Sequence, residues 1–304
     1  MAQGLYGAAL GLGLLLTPPA QAACAGPAGQ LRAIGPGAWW LPAASGDSDA
    51  INRGATANLW ALRQGRSLWL VGGAGTPVLA RQVACLLREA GAGRVTDVIL
   101  PWPHAELTLG ARAFEGARLW VHADTAEAMR QRCPRCVERM AQRLGAAAAD
   151  LGDDPIPRPT HVLHGAQGRV GPFDWWRLQR SDDTAVLALR WHGRALWSAH
   201  SLAWGDGPPD LRDGEALQLA RSIDQLLARM PASARVLPEQ GPWMTPVQLR
   251  RQRDELHQLV DAVDAALRRG DLVTDAPPAA LSGRHPRQAL NWQRTWSQRE
   301  AALF

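Results

Sequence analysis

The chain has 304 residues, 46% of them hydrophobic, and a formal net charge of +5, which suits one main domain with a sizeable core. The positive charge does not imply a nucleic-acid partner: every basic residue is arginine, scattered among aspartate and glutamate, with no basic stripe interleaved with aromatics, a pattern that fits codon bias in a GC-rich genome. Beyond the first residues no segment is long and apolar enough to span a membrane.

The opening "MAQGLYGAALGLGLLLTPPAQAAC" carries an apolar run from Leu5 to Leu16, then Pro18 and Pro19 and the small-x-small site Ala20-Gln21-Ala22. This predicts a secretory signal over 1–22, with an uncleaved anchor, or a lipoprotein signal ending at Cys24, as the lesser alternatives. Residues 23–66 are rich in Gly and Pro with short apolar runs such as "GAWWLPA", which predict short strands joined by turns. "SLWLVGGAG" is a buried strand ending in glycines, and "TPVLARQVACLLREAGAG" is a helix with Thr before Pro at its start and Gly at its end. "VTDVIL" and "GARLWVH" are further buried strands, followed by a helix "TAEAMRQRCPRCVERMAQRLG" with a predicted break or new start at Pro134.

The second half changes character. "THVLHG", "DWWRLQR", "TAVLALRW" and "RALWSAH" predict an antiparallel meander, followed by two helices, "DGEALQLARSIDQLLARM" and "TPVQLRRQRDELHQLVDAVDAALRRG", on either side of the strand "ARVLPEQG". Residues 271–304 form a tail with Pro277, Pro278 and Pro286 and a closing short helix through "RQALNWQRTWSQREAAL". The predicted class is α/β: a four-layer αββα sandwich of two mixed sheets with helices on both outer faces, over residues 23–270. The tryptophans fall mostly in strands (Trp69, Trp120, Trp175, Trp176, Trp191, Trp197), where packing explains them better than a ligand cage.

The stretch "VILPWPHAELTLGARAFEGARLWVH" runs strand, polar turn, short helix, strand. Its frame of Leu109-Gly110 and Ala113-Phe114, with the strand and helix after it, resembles the metallo-β-lactamase superfamily, closest to exported members that accompany quinoprotein or sulfur-oxidation systems. The resemblance covers nearly the whole mature chain and implies a zinc-dependent hydrolase. The family's turn reads His-x-His-x-Asp-His; here those places hold Trp102, His104, Glu106 and Leu107. The histidine before the meander strand becomes Arg180 or Ser181, the bridging aspartate His200, the final Gly-His-Gly Glu239-Gln240-Gly241, and the structural aspartate after the first long strand Gly72 or Gly73. Trp, Leu and Arg cannot ligate zinc, which needs about three N, O or S ligands with a place open for water. An arginine at ~4 Å from a dication costs several kcal/mol per unit charge even at an effective dielectric near 20.

We therefore expect no cofactor and a non-catalytic exported protein that binds a small molecule or a periplasmic protein partner in the old cleft, lined by Trp102, Leu107 and Arg180. The alternatives are a remodelled single-zinc hydrolase with His104, Glu106 and His200 as ligands and Glu239 or Gln240 at the edge, or an accessory protein of an exported redox system. Cys133-Pro-Arg-Cys136 falls well inside a helical stretch, unlike a thioredoxin-type motif, so a disulfide within the pair, or from one of them to Cys85, is expected, leaving Cys24 free, lipidated or the fourth partner. The remaining histidines show no metal spacing, and "VGGAG" lacks the order of a phosphate loop.

Overall fold

The computed structural model describes residues 24–205, 207–273 and 285–303; the predicted secretory segment and Pro277 and Pro278 of the tail lie outside the described residues. A seven-stranded sheet runs in chain order: β1 (Arg32–Gly35), β2 (Ala38–Leu41), β3 (Leu59–Gln64), β4 (Ser67–Val71), β5 (Asp97–Ile99), β6 (Arg118–His122) and β7 (His161–Leu163). It is antiparallel up to β4 and parallel from there on. Helix α1 (Pro77–Glu89) links β4 to β5, the single turn α2 (Ala105–Thr108) follows β5, and α3 (Ala123–Leu144) leaves β6 directly. The second sheet has five strands, β8 (Gln167–Val170), β9 (Phe173–Ser181), β10 (Thr184–Trp191), β11 (Leu196–Ser198) and β12 (Arg235–Leu237), in the order β12-β11-β10-β9-β8. Helix α4 (Ala216–Leu227) crosses from β11 to the parallel β12, and α5 (Pro246–Arg269) and α6 (Arg287–Leu303) complete the chain.

Strand alternation builds the layers. Trp40, Trp60, Leu62, Trp69 and Val71 of the first sheet meet Phe173, Trp175, Leu187 and Leu189 of the second in one buried cluster. Trp60 and Phe173 pack edge to face at 5.4 Å, and each such buried aromatic contributes on the order of 3 kcal/mol. The alternate residues Leu59, Ala61, Leu68 and Leu70 turn outward to Leu79, Val83 and Leu87 of α1, while Leu178, Val186 and Ala188 join Leu219 and Ile223 of α4. The tryptophans of the strands are thus packing residues, and two mixed sheets lie between helical layers, as predicted. In α6, Trp292 and Trp296 are buried in the same core.

Three expectations need correction. "THVLHG" is not in the meander: β7 pairs parallel to β6, and the antiparallel run is β8 to β11. Pro134 does not break its helix, because α3 buries Met129, Cys133, Met140 and Leu144 on one face while the proline ring lies exposed, and that packing outweighs the ~3 kcal/mol a helical proline costs. The disulfide joins Cys24 to Cys85, 61 residues apart, and Cys133 and Cys136 are free thiols.

Helix α5 starts on a capping box: the Thr245 hydroxyl accepts from Gln248 N at 3.3 Å, and Thr245 N donates to Gln248 Oε1 at 2.8 Å. We expect Thr245→Ala to lower stability by about 1 kcal/mol, read as a shift of the urea midpoint at unchanged slope.

Candidate binding cleft

The segments after β5, β9, β11 and β12 converge at one end of the sandwich, where each strand leaves its sheet. β5 delivers Trp102 and His104, the end of β9 carries Arg180, the turn after β11 carries His200 and Ser201, and the turn after β12 carries Glu239. β5, β9 and β11 are paired on both sides, and the edge strand β12 is paired with β11 and bridged to Met244 through Val236, so these side chains are fixed more tightly than on free loops.

Glu239 is the hub. Its Oε2 accepts from Trp102 Nε1 at 3.0 Å and from the Ser201 backbone N–H at 3.0 Å, and its Oε1 lies 2.9 Å from His104 Nδ1. The same His104 nitrogen is 3.3 Å from Glu106 Oε2, whose partner oxygen accepts from the Ser48 hydroxyl at 2.8 Å and from Arg143 at 3.2 Å. Burial presses the His104 imidazole toward its neutral form, but Glu106 and Glu239 together outweigh it and lift its pKa from 6.5 to about 9, so His104 is an imidazolium at neutral pH. Burial likewise pushes the Glu239 carboxyl up, and the charges of His104 and Arg180 reverse this and hold it below the usual range.

Arg180 is almost completely buried at 1% exposure. Its guanidinium donates to the carbonyls of Ser201, Asp210 and Asp213 and sits 4.4 Å from the centre of the Trp102 ring and 5.4 Å from that of Trp204. On Trp102 the His104 ring also stacks, at 4.5 Å and an interplanar angle of 11°. Ser201 adopts φ +70°, a left-handed conformation unusual for a side chain with Cβ; it aims its carbonyl at Arg180 and its N–H at Glu239.

The structure brings His104 and Glu106 together but gives His200 other partners. Fully buried, His200 donates from Nε2 to the Asn58 carbonyl at 2.6 Å, so its Nδ1 accepts from the Ser198 hydroxyl at 2.5 Å. Burial lowers its pKa and keeps it neutral. Gln240 donates to the carbonyls of Gly46 and Thr56, and Leu107 is core. At Gly73, a Cβ would stand 2.5 Å from the Ala111 Cβ, so the place of the family's structural aspartate is filled by the turn after α2.

Above the network lies a small cavity of about 40 Å³ bordered by His104, Glu106, Arg143, Arg180 and Arg212. Trp102, Cys136, Arg139, Arg212 and Asp213 form a shared wall with a larger cavity of about 380 Å³ along α3. Asp210, beneath it, is held well below the carboxylate range: burial opposes this, and the hydrogen bonds and charge of Arg212 overcome it. Sequence reasoning missed Arg143, Arg212 and Asp210; Arg132, Arg135, Arg139 and Arg143, spaced three or four apart on α3, were the available sign of a basic wall.

No protein-family model and no curated protein matches the sequence. Among solved structures, the chain is similar to the metallo-β-lactamase FIM-1 from Pseudomonas aeruginosa in its mono-zinc form, with 13% identity, a TM-score of 0.57, and 75% of this chain and 94% of that one covered. It is also similar to metallo-β-lactamases from Pontibacter korlensis (11%, TM-score 0.58, 75% and 98% covered) and Hirschia baltica (12%, TM-score 0.58, 76% and 98% covered). With the two stacked mixed sheets, the helical outer layers and the strand-end cleft already described, these likenesses identify the architecture: this chain has the metallo-β-lactamase fold.

Proposed function

We propose that this is an exported, non-catalytic metallo-β-lactamase-fold protein in which a closed ionic network replaces the zinc centre, and whose cleft binds a small molecule or a protein partner. The observation that carries this reading is the Arg180–Trp102–Glu239 arrangement, in which a buried guanidinium and an indole N–H occupy places where the family resemblance calls for imidazoles. The donor set does not suit zinc. His200 has committed both ring nitrogens, and the Arg180 guanidinium, a fixed cation, sits within the cluster. The Cys24–Cys85 disulfide supports an oxidising compartment, in keeping with the secretory segment predicted over 1–22. No helix among the described residues is long and apolar enough to cross a membrane.

A metal-dependent hydrolase with a remodelled site is the second reading, favoured by the approach of His104, Glu106 and Glu239. Metal analysis of the purified mature chain separates the two. We expect far less than one zinc per chain and an unfolding midpoint that does not move on addition of EDTA. One tightly held zinc per chain, abolished by His104→Ala, would establish the second reading instead. An accessory role beside an exported redox system would be tested by recovery of a redox partner in pull-downs.

A further inference from the structure

On α3 two thiols that the ionic network does not use lie one helical turn apart. Cys133 is fully buried in the core, and Cys136 is half-buried in the wall shared by both cavities. Residues i and i+3 share a helix face, and ideal helix geometry sets their Cα atoms about 5 Å apart, within the span a disulfide bridges. Pro134 between them has no N–H to donate, so the helix is weakest at the point where the bridge would draw it in. The other two cysteines are committed to each other, so no third thiol competes.

We propose that Cys133 and Cys136 form a reversible dithiol–disulfide couple on the cleft wall, with Cys136 exchanging with a small anionic disulfide and Cys133 resolving the adduct. The Cys136 thiolate attacks one sulfur of R–S–S–R. The Cys136–SR bond forms, the substrate S–S bond breaks, and RS⁻ leaves and takes up a proton. The Cys133 thiol, giving up its proton, then attacks the Cys136 sulfur, forming the Cys133–Cys136 bond and expelling the second RS⁻. Overall the protein dithiol is oxidised by two electrons, the substrate disulfide is reduced to two thiols, and the two cysteine protons end on them.

Two observations fix the roles and the substrate's charge. Access distinguishes the thiols: Cys136 borders the cavity, while Cys133 has no exposed surface. Donation from the Cys133 thiol, the largest effect, together with nearby cationic groups including Arg139, brings the Cys136 thiol down to about 7, despite burial that opposes it. The larger cavity is lined by Arg132, Arg135, Arg139 and Arg212 together with Asp183, Asp213 and Glu215, which leaves a small positive excess. Arg132 pairs with Asp183 and Arg212 with Asp210, whereas among the described residues Arg135 and Arg139 have no ion-pair partner, leaving two exposed cations one turn apart beside Cys136. They suit carboxylates on the incoming disulfide.

The test uses the full chain and 5,5′-dithiobis(2-nitrobenzoate), a dianionic chromogenic disulfide. We expect two equivalents of thionitrobenzoate released per chain, no adduct in the intact mass, and a Cys133–Cys136 link in the peptide map. Cys133→Ala should release one equivalent and keep a stable adduct on Cys136. A persistent adduct on the unaltered protein, or no release from the folded protein, would overturn the couple. Arg135→Ala with Arg139→Ala should slow this reagent about tenfold while leaving the rate with neutral 4,4′-dithiodipyridine unchanged; equal slowing of both would overturn the anionic preference. This inference goes beyond the binding reading and fails separately from it, since metal content and thiol stoichiometry are independent measurements.

Discussion

Replacing Arg180 with alanine should lower folding stability by about 3–5 kcal/mol, the largest loss expected from any single side chain of the cleft. The guanidinium holds the carbonyls of Ser201, Asp210 and Asp213, which come from the turn after β11 and the segment leading to α4. Truncation leaves these buried acceptors without their donor and removes one of the positive neighbours of the buried Glu239. It also removes a cation from the face of Trp102 and opens a void beside Gly214, where a Cβ would stand within 3.4 Å of the Arg180 side chain. Arg180→Met, which restores volume without donors, should recover only the packing part. Arg180→Lys should also fall short, since one ammonium lacks the planar fork that serves three carbonyls in different directions. Urea unfolding of the three variants checks this ordering. A loss below about 1 kcal/mol for alanine would mean that the network is decoration on a fold held elsewhere.

On the proposed reading, such a network would hold the cleft's shape without a dication. A metal ties several strand-end segments to one point. Here Glu239 does so with hydrogen bonds to Trp102 and Ser201 and an ion pair to His104, and Arg180 ties the turn after β11 to the segment before α4. The linkage is electrostatic and already complete, so a metal entering it would have to displace an imidazolium and approach a guanidinium. The small cavity above it is about the size of one or two water molecules, whereas the arginine-lined cavity beside it has room for a ligand.

Much of the fold was legible because short apolar runs bounded by glycine and polar turns are a local signal, as in "SLWLVGG" and "VTDVIL". Which face of each strand turns to the other sheet was not, since Ala38–Leu41 and Ser67–Val71 are buried on both faces and read as continuous apolar runs. The place of β7 was not legible, since its three residues could pair with either neighbour and only the parallel register with β6 decides it. The helix through Pro134 shows packing overriding a local breaker. The Cys24–Cys85 pairing was hidden because sequence spacing does not determine which thiols meet. In the cleft, residue types were readable and partners were not. Trp102, Leu107 and Arg180 are readable as types that cannot ligate zinc, but the bond from Trp102 to Glu239 spans 137 positions. His200 looks like a ligand by type, and only its two hydrogen bonds reveal a satisfied core histidine.

The ion pairs of His104 should make stability fall at alkaline pH by about 1–3 kcal/mol more in the natural protein than in His104→Gln. An unfolded histidine titrates near 6.5 and the folded His104 at about 9, so folding favours the protonated form. Its contribution is fully present below 6.5 and is lost as pH rises through 9; the distance between the two values sets a ceiling of about 3 kcal/mol. The acid side belongs to other groups. His200, held neutral by burial, has a folded value below 6.5, so its contribution is present above 6.5 and disappears as pH falls. Glu239, held below 4.5, contributes above 4.5 and loses that contribution further down. Stability should therefore peak near the upper end of the interval between 4.5 and 6.5, with an alkaline limb that depends on His104. Urea unfolding at pH 6 and pH 10 should find the natural protein more stable than His104→Gln at pH 6 and the two nearly equal at pH 10. Parallel curves across that interval would show that the imidazole is neutral in the folded state, and would reopen the question of whether its nitrogen is available to a metal.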